Sequence, residues 1–164
     1  MTSRARHQSY RRYKSRIDNL FRIYSEERNP DPEALSHNAK YLAVLTSGYL
    51  EQAIKELLLH YASKGANQKI LRYVEVTWPI SRNMTTENIK IILSSFNSQW
   101  GEDFEGWLLS KDERKGHINS IVKWRNGIAH GQESNTTGVT MVSVKTAFDS
   151  VEGLVEYIES LLEA

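Results

Sequence analysis

An arginine and a histidine five positions apart, Arg125 and His130, have the residue types and spacing that suit chemistry on a phosphate. A neutral histidine titrates at about pH 6.5 and can take a proton from a ribose 2′-hydroxyl. A guanidinium keeps its charge and can hold the oxygens of a phosphate while negative charge builds on them. Together, the two groups would drive attack of the 2′-oxygen on its own phosphate, leaving a 2′,3′-cyclic phosphate and a 5′-hydroxyl. DNA lacks the 2′-hydroxyl, so this chemistry is specific to RNA.

The helical pattern around Arg125 places this residue on an apolar face. The apolar positions recur with helical spacing at Ile118, Ile121, Val122, Ile128 and Ala129. Arg125 falls where the pattern requires another apolar side chain, and a buried guanidinium is costly unless it is paired. We therefore expect a carboxylate, a partner chain or a phosphate to meet Arg125. Gly131 predicts that the helix ends directly after His130.

The spacing of Arg125 and His130 also bears on the oligomeric state. Five residues along an α-helix rotate by about 140° and rise by about 7.5 Å, so the two side chains of one chain should point apart. Two copies related by a twofold axis could interleave both pairs in one cleft, where each phosphate meets residues from both chains. The spacing therefore predicts a homodimer with a composite site.

Helices are predicted at both ends of the chain. Apolar periodicity predicts a first helix from Gln8 to Glu27 and a long second helix from Glu33 to Ser63. Ser143 is predicted to cap the final helix. The apolar stripe of that helix is unbroken and comprises Val144, Ala147, Phe148, Val151, Leu154, Val155, Ile158, Leu161 and Leu162. Together with the Arg125 helix, which follows Gly116, these segments predict an all-α bundle.

The middle of the chain is predicted to hold shorter elements. Residues 67–78 fit a helix by one spacing of their apolar residues and a strand by another, and Pro79 ends either one. Thr86 is predicted to cap a short helix. A turn is expected to follow around Phe104, Trp107 and Leu108.

Composition excludes several kinds of site. The 164 residues suit a single domain over 1–164, and the absence of cysteine excludes disulfides, thiolate metal sites and a cysteine nucleophile. The five histidines contain no pair one helical turn apart, and there is no glycine-rich phosphate loop or dense acidic cluster. We therefore expect no metal and no cofactor. No apolar run approaches the roughly 20 residues that a membrane helix needs, and we expect a cytoplasmic location without membrane association.

A basic segment near the N-terminus, from Arg4 to Arg16, is a candidate RNA contact. Arg11 and Arg12 could bind an RNA backbone in a salt-sensitive way. The simpler interpretation is that this basic helix packs beside the final helix, whose outer face is acidic. Trp124, next to the candidate arginine, is the tryptophan that we expect to contact a base.

Residues 125–130 resemble the arginine-four-residues-histidine signature of HEPN domains, including the polar Asn126 directly after the arginine. The resemblance covers roughly Tyr10 to the end of the chain. The features that look like the RiboL-PSP group of that superfamily are the long second helix, the Trp100 to Trp107 segment, the Ile121-Val122 pair, Gly131 and the closing helix from Ser143.

The resemblance implies a four-helix core with short extra helices, homodimerisation and metal-independent endoribonuclease activity. Such proteins commonly act as toxins in toxin–antitoxin, abortive-infection or other phage-defence systems, often beside a cognate antitoxin protein. By position, Arg125 would stabilise the phosphate, His130 would be the base and Asn126 would orient the site or the RNA. Glu51, on the long second helix, is the candidate for a further polar residue in the cleft.

Other interpretations of these residues stay open at this point. Arg125 could form a structural ion pair, for example with Glu51, and His130 could be a cation that stabilises a helix C-terminus. Glu51 could instead be an exposed acid that pairs with Lys55. A HEPN module without catalysis could bind RNA, a nucleotide or another protein. A helical adaptor without any RNA role is favoured by the net charge of +1.

Overall fold

The computed structural model describes residues 9–79 and 83–163, without the side chain of Glu133. This part of the chain contains seven α-helices and no strand, which confirms the all-α prediction. The helices are α1 (Ser9–Glu26), α2 (Pro32–Gly65), α3 (Gln68–Thr77), α4 (Thr86–Phe96), α5 (Ser98–Leu109), α6 (Arg114–Ala129) and α7 (Met141–Glu163), and a short 3-10 turn covers Glu133–Asn135. The predicted first residue of α1, Gln8, lies outside the described residues.

Four helices form the core of the bundle. The long α2 packs against α1, α6 and α7, and α6 also packs against α7. The predicted α7 stripe is buried from Val144 to Ile158, and its last members, Leu161 and Leu162, are partly buried. At the centre, the ring centroids of Phe148 and of Phe21 on α1 lie 5.5 Å apart. Each large apolar side chain buried here contributes roughly 1.5–3 kcal/mol relative to an exposed one.

The helices α4 and α5 pack on each other and on α6. The prediction of a turn around Phe104 and Leu108 is wrong, because these residues lie on α5 with their side chains buried on one face. Trp107 on the same helix stacks on Tyr157 of α7, with ring centroids 5.0 Å apart. Burial against α4 and α7 therefore stabilises a helix that is short on its own.

The ambiguous segment at residues 67–78 is helical. Asn67 caps α3, and its side-chain oxygen accepts a hydrogen bond from the Lys69 backbone N–H at 2.9 Å. The helix ends at Thr77, two residues before Pro79, as the sequence predicts. No residue of α3 is fully buried.

The start of α7 differs from the prediction that Ser143 caps it. The helix begins at Met141, and the Thr140 hydroxyl accepts from the Ser143 N–H at 3.1 Å. Ser143 returns the interaction, because its hydroxyl accepts from the Thr140 N–H at 2.9 Å. Such a reciprocal pair satisfies two donors at the helix start. Within the described ranges, no helix combines the length and apolar character needed to cross a membrane.

Candidate functional site

Arg125 lies near the C-terminal end of α6, where the bundle covers the inward face of that helix only partly and Ile128 is half-buried against the core. Ile118, Ile121 and Val122 on this face are buried, whereas Arg125 is half-buried. Ala129, one turn further on, was expected to continue the apolar stripe but is exposed. The guanidinium is therefore held on the inner stripe of the helix and still reaches the surface.

The partner of Arg125 in the described part of the chain is its neighbour. The Arg125 Nη1 donates a hydrogen bond to the Asn126 Oδ1 at 3.1 Å. None of the ion pairs among the described side chains involves Arg125. The alternative of a structural Arg125–Glu51 ion pair is thus not supported. Asn126 is a neutral amide, so it does not compensate the positive charge of the guanidinium, which can therefore bind an anion.

His130 is the residue at which α6 ends, as predicted, and its side chain is exposed. Two backbone hydrogen bonds close the helix: Gln132 N–H to the Gly127 carbonyl at 2.8 Å, and Gly131 N–H to the Ile128 carbonyl at 3.3 Å. This pattern is a Schellman motif, and it needs a residue at positive φ after the cap. Gly131 supplies it with φ of 63°. The backbone of His130 is therefore fixed relative to Arg125, while the imidazole is open to solvent.

Gly127 makes a close contact with Asn135 that its place in the sequence did not predict. A Cβ atom at this position would lie 2.8 Å from the Asn135 Cβ and 3.3 Å from the Asn135 backbone. The 3-10 turn that follows His130 therefore folds back onto α6 at Gly127. A glycine inside a helix destabilises it by about 1 kcal/mol relative to alanine. A glycine within the predicted helix was therefore the sequence feature that could have indicated a close contact at this position.

Glu51 is half-buried on α2, the helix beside α6, and no hydrogen bond or ion pair among the described side chains joins it to Arg125 or His130. Its Oε1 accepts from the Ser47 hydroxyl at 3.5 Å. The pKa of Tyr13 on α1 is raised, mainly by burial, and the charges of Tyr41 and Glu51 add to this while Arg16 opposes it. The alternative pairing with Lys55 is not among the ion pairs of the described side chains.

The predicted RNA-binding arginines lie on α1 and are exposed. The Arg11 Nη2 lies 3.2 Å from the Glu159 Oε1 on α7, and Lys14 lies 2.7 Å from Glu152 on the same helix. The expected pairing of a basic first helix with an acidic last helix is thus confirmed, and it engages Arg11. Arg12 is exposed. The basic residues before Ser9, including Arg4, lie outside the described residues.

The expected RNA-contacting tryptophan, Trp124, is half-buried beside Arg125 and packs against the core. Of the candidate site residues, Trp124, Arg125, Asn126 and His130 lie on the last turns of α6, and a hydrogen bond joins Arg125 to Asn126. Within the described ranges, no group of three or more acidic or histidine side chains is arranged to hold a metal ion.

Comparison with known proteins gives one family match. A family model described as RiboL-PSP-HEPN matches residues 11–164, a range that includes every candidate site residue described above. No curated protein and no solved structure matches the chain significantly.

Proposed function

Because the chain belongs to the RiboL-PSP-HEPN family, we propose that it is a metal-independent endoribonuclease. Membership places it in a superfamily of ribonucleases and RNA-binding domains. The observation that carries the finer proposal is Arg125. It is half-buried, it has an amide neighbour instead of a carboxylate among the described side chains, and it shares a helix end with an exposed histidine. A phosphate of RNA would supply the missing negative charge.

In the proposed reaction, the neutral His130 imidazole accepts the proton of a ribose 2′-hydroxyl. The 2′-oxygen then forms a bond to the adjacent phosphorus, and the bond from phosphorus to the 5′-oxygen breaks. The leaving 5′-oxygen takes a proton from an imidazolium or from water. Arg125 holds the non-bridging oxygens as their negative charge increases, and Asn126 orients the guanidinium through the 3.1 Å hydrogen bond.

We further propose that two copies assemble the site. The inward face of α6 is only partly covered at Arg125 and is exposed at Ala129, where a second α6 related by a twofold axis can pack. Each phosphate would then meet Arg125 of one copy and His130 of the other. Glu51, on the helix next to α6, is the proposed additional polar residue of that cleft.

The test is cleavage of total RNA by the purified chain in EDTA, compared with Arg125→Ala and His130→Ala. Loss of either group should lower cleavage by at least about 10²-fold, because each acts in the transition state. Matched controls are Arg22→Ala and His37→Ala, which remove exposed residues from α1 and α2. Wild-type products should carry 5′-hydroxyl and cyclic phosphate ends. Equal cleavage by all variants would show that the activity belongs to another site.

A mixing experiment tests the composite site. Arg125→Ala and His130→Ala, each inactive alone, are unfolded together and refolded so that subunits assort at random. About half of the dimers are then mixed, each with one intact site out of two, so about a quarter of wild-type activity should return. No recovery in dimers shown to be mixed would mean that each site uses one chain only.

As to its biological role, we propose that the protein is a cytoplasmic toxin in a toxin–antitoxin or phage-defence system, held inactive by an antitoxin protein. Family membership supports this, because proteins of this kind commonly act as toxins in such systems. Induced expression should arrest growth for the wild type and for His37→Ala but not for His130→Ala. Equal arrest by His130→Ala would separate toxicity from cleavage.

One observation favours a second candidate function, a module that binds RNA, a nucleotide or a protein without catalysis. A catalytic base is commonly oriented by a third group, and no described side chain forms a hydrogen bond with the His130 imidazole. For such a module, RNA would bind with the same affinity to wild type and His130→Ala, and neither would cleave it.

A further inference from the structure

The cations of α1 differ in their partners according to the side of the helix on which they lie. Arg11 and Lys14 form ion pairs with glutamates of α7, and Arg22 pairs with a glutamate one turn along α1. Arg12 and Arg16 are exposed, and neither occurs among the ion pairs of the described side chains. Residues four apart share a helix face and lie about 6 Å apart along it. Two guanidinium groups without a carboxylate partner among the described side chains therefore lie on one face of α1.

A tyrosine of α2 holds the second of these guanidinium groups. The Arg16 Nη2 donates a hydrogen bond to the Tyr41 hydroxyl at 2.8 Å. A hydroxyl carries no charge, so it orients the guanidinium without compensating it. Tyr41 is still 42% exposed, so the tyrosine remains accessible from solvent beside the oriented arginine.

Tyr13 connects this pair of residues to Glu51, the proposed additional residue of the cleft. The Tyr13 hydroxyl lies against Gly48 of α2, where a Cβ atom would come within 2.6 Å of it. Burial raises the pKa of the phenol, and the charges of Tyr41 and Glu51 add to this rise, whereas Arg16 opposes it. All three groups therefore lie within electrostatic reach of Tyr13. Because α2 packs against both α1 and α6, this surface adjoins the helix that carries the proposed site.

We propose that Arg12, Arg16 and Tyr41 form a binding site for single-stranded RNA outside the cleft. The two guanidinium groups bind neighbouring backbone phosphates, and a base stacks on the Tyr41 ring. The inference deepens the proposed function and rests on it, since it takes RNA as the substrate and names the surface that holds the strand.

The chemistry of this surface favours RNA over an acidic protein. Guanidinium groups bind both phosphates and carboxylates, so charge alone does not choose between them. The accessible tyrosine beside Arg16 does, because its ring offers a stacking face that a base can use and a carboxylate cannot. Bases inside a duplex are already stacked on one another, so the site suits single-stranded segments.

The test is the affinity of the full chain for a 2′-O-methyl oligoribonucleotide of about 12 nucleotides, measured by fluorescence anisotropy at low salt. The methyl group replaces the hydroxyl hydrogen that the proposed cleavage removes, so binding is measured without cleavage. Tyr41→Ala should lower the affinity by roughly tenfold through the loss of one stacked base. Tyr73→Ala, which removes a tyrosine 67% exposed on α3, is the matched control and should bind as wild type does.

Two further variants separate the phosphate contact from stacking. Arg16→Gln should weaken binding and lower the salt slope by about 1. Its matched control is Arg22→Gln, which removes an exposed arginine of the same helix that already has a carboxylate partner. Tyr41→Phe keeps the ring but loses the hydroxyl that holds Arg16, so its loss of affinity should be smaller than that of Tyr41→Ala. A duplex of the same sequence should bind Tyr41→Ala as tightly as wild type.

Several results would overturn the proposal. Unchanged affinity in both Arg16→Gln and Tyr41→Ala would do so, and so would an equal loss in the two control variants. Equal weakening of duplex binding by Tyr41→Ala would exclude base stacking. Displacement of the oligonucleotide by polyglutamate of the same charge would reassign the surface to an acidic protein.

Cleavage of RNA in EDTA, measured on the same proteins, separates this inference from the proposed function. Binding that depends on Arg16 and Tyr41 in a chain without cleavage would refute the catalysis and leave the binding site. Cleavage by the wild type, with oligonucleotide affinity unchanged in both variants, would refute the binding site and leave the catalysis.

Discussion

Replacing Gly127 with alanine should move the turn that follows His130 without touching either proposed catalytic side chain. The new Cβ would lie 2.8 Å from the Asn135 Cβ, with the Asn135 backbone close behind at 3.3 Å. Carbon atoms in contact lie about 3.5–4.0 Å apart, so the turn must retreat by roughly 0.7 Å. The turn continues directly from Gln132, whose N–H is bonded to the Gly127 carbonyl. The retreat therefore acts on the segment that fixes His130.

Two effects on stability oppose each other in Gly127→Ala. Alanine inside a helix stabilises the fold by about 1 kcal/mol relative to glycine. Overpacking, in contrast, destabilises it by roughly 1–3 kcal/mol. The net expectation is a loss of about 1 kcal/mol, which lowers the melting temperature by about 2–4 °C in a chain of this size. Gly116→Ala on the same helix is the matched control, since nothing lies within 4 Å of its new Cβ. That variant should gain about 1 kcal/mol.

The assay pairs thermal unfolding with RNA cleavage in EDTA for both glycine variants. A misplacement of about 1 Å in a catalytic group can cost 10²-fold in rate, so Gly127→Ala should lose roughly that factor while staying folded. Gly116→Ala should cleave as wild type does. If Gly127→Ala matches Gly116→Ala in stability, the close contact with Asn135 does not constrain the turn. If it is destabilised but fully active, the turn does not position His130.

Three further changes have definite expected outcomes. Tyr10→Phe removes the hydroxyl bonded to Glu159 and should cost about 1 kcal/mol at neutral pH; burial, with Glu159 adding to it, raises the pKa of Tyr10 to about 12. The stabilisation from the neutral phenol is complete below pH 10 and is lost as the pH rises to about 12, so denaturant titrations of Tyr10→Phe should show a smaller alkaline loss than wild type. Asn126→Asp places a carboxylate beside Arg125 and should reduce cleavage more than Asn126→Ala, with kcat and KM measured for both; equal effects would remove the charge argument. Arg12→Glu should weaken RNA binding at low salt and lower the salt slope by about 1, and filter binding with unchanged affinity would exclude Arg12 from the RNA surface.

The long helices were predictable because their apolar stripes extend over many turns and end at strong breakers. Pro32 lies at the start of α2 and Gly65 at its end, and the α7 stripe is continuous. The turn predicted at α5 overlooked a helical spacing, because Trp100, Phe104, Trp107 and Leu108 fall at i, i+4, i+7 and i+8. A helix of 12 residues is marginal alone, so its stability depends on packing against α4 and α7. For α3 the spacing was ambiguous, and the Asn67 cap decided between helix and strand.

The residues of the candidate site could be predicted from the sequence, but their exposure and their contacts could not. Arg125 stands out in the sequence because it interrupts an apolar stripe, and Gly131 marks the helix end. How far the bundle covers the C-terminal end of α6 depends on where neighbouring helices end in space, so the exposure of Ala129 could not be predicted. The same holds for the contact of Gly127 with Asn135, which joins a helix to a turn after a change of chain direction.

The five-residue spacing of Arg125 and His130 has a structural meaning in this fold. Arg125 occupies an inward position of α6 that the bundle partly covers, and His130 is the residue at which that helix is capped. Between them, the Gly127 carbonyl accepts a hydrogen bond of the helix cap, and the absence of a side chain at Gly127 leaves room for the turn that folds back onto the helix. Lengthening or shortening the interval by one residue would rotate Arg125 by about 100° relative to the cap. The guanidinium would then leave the inner stripe, and its orientation relative to His130 would change.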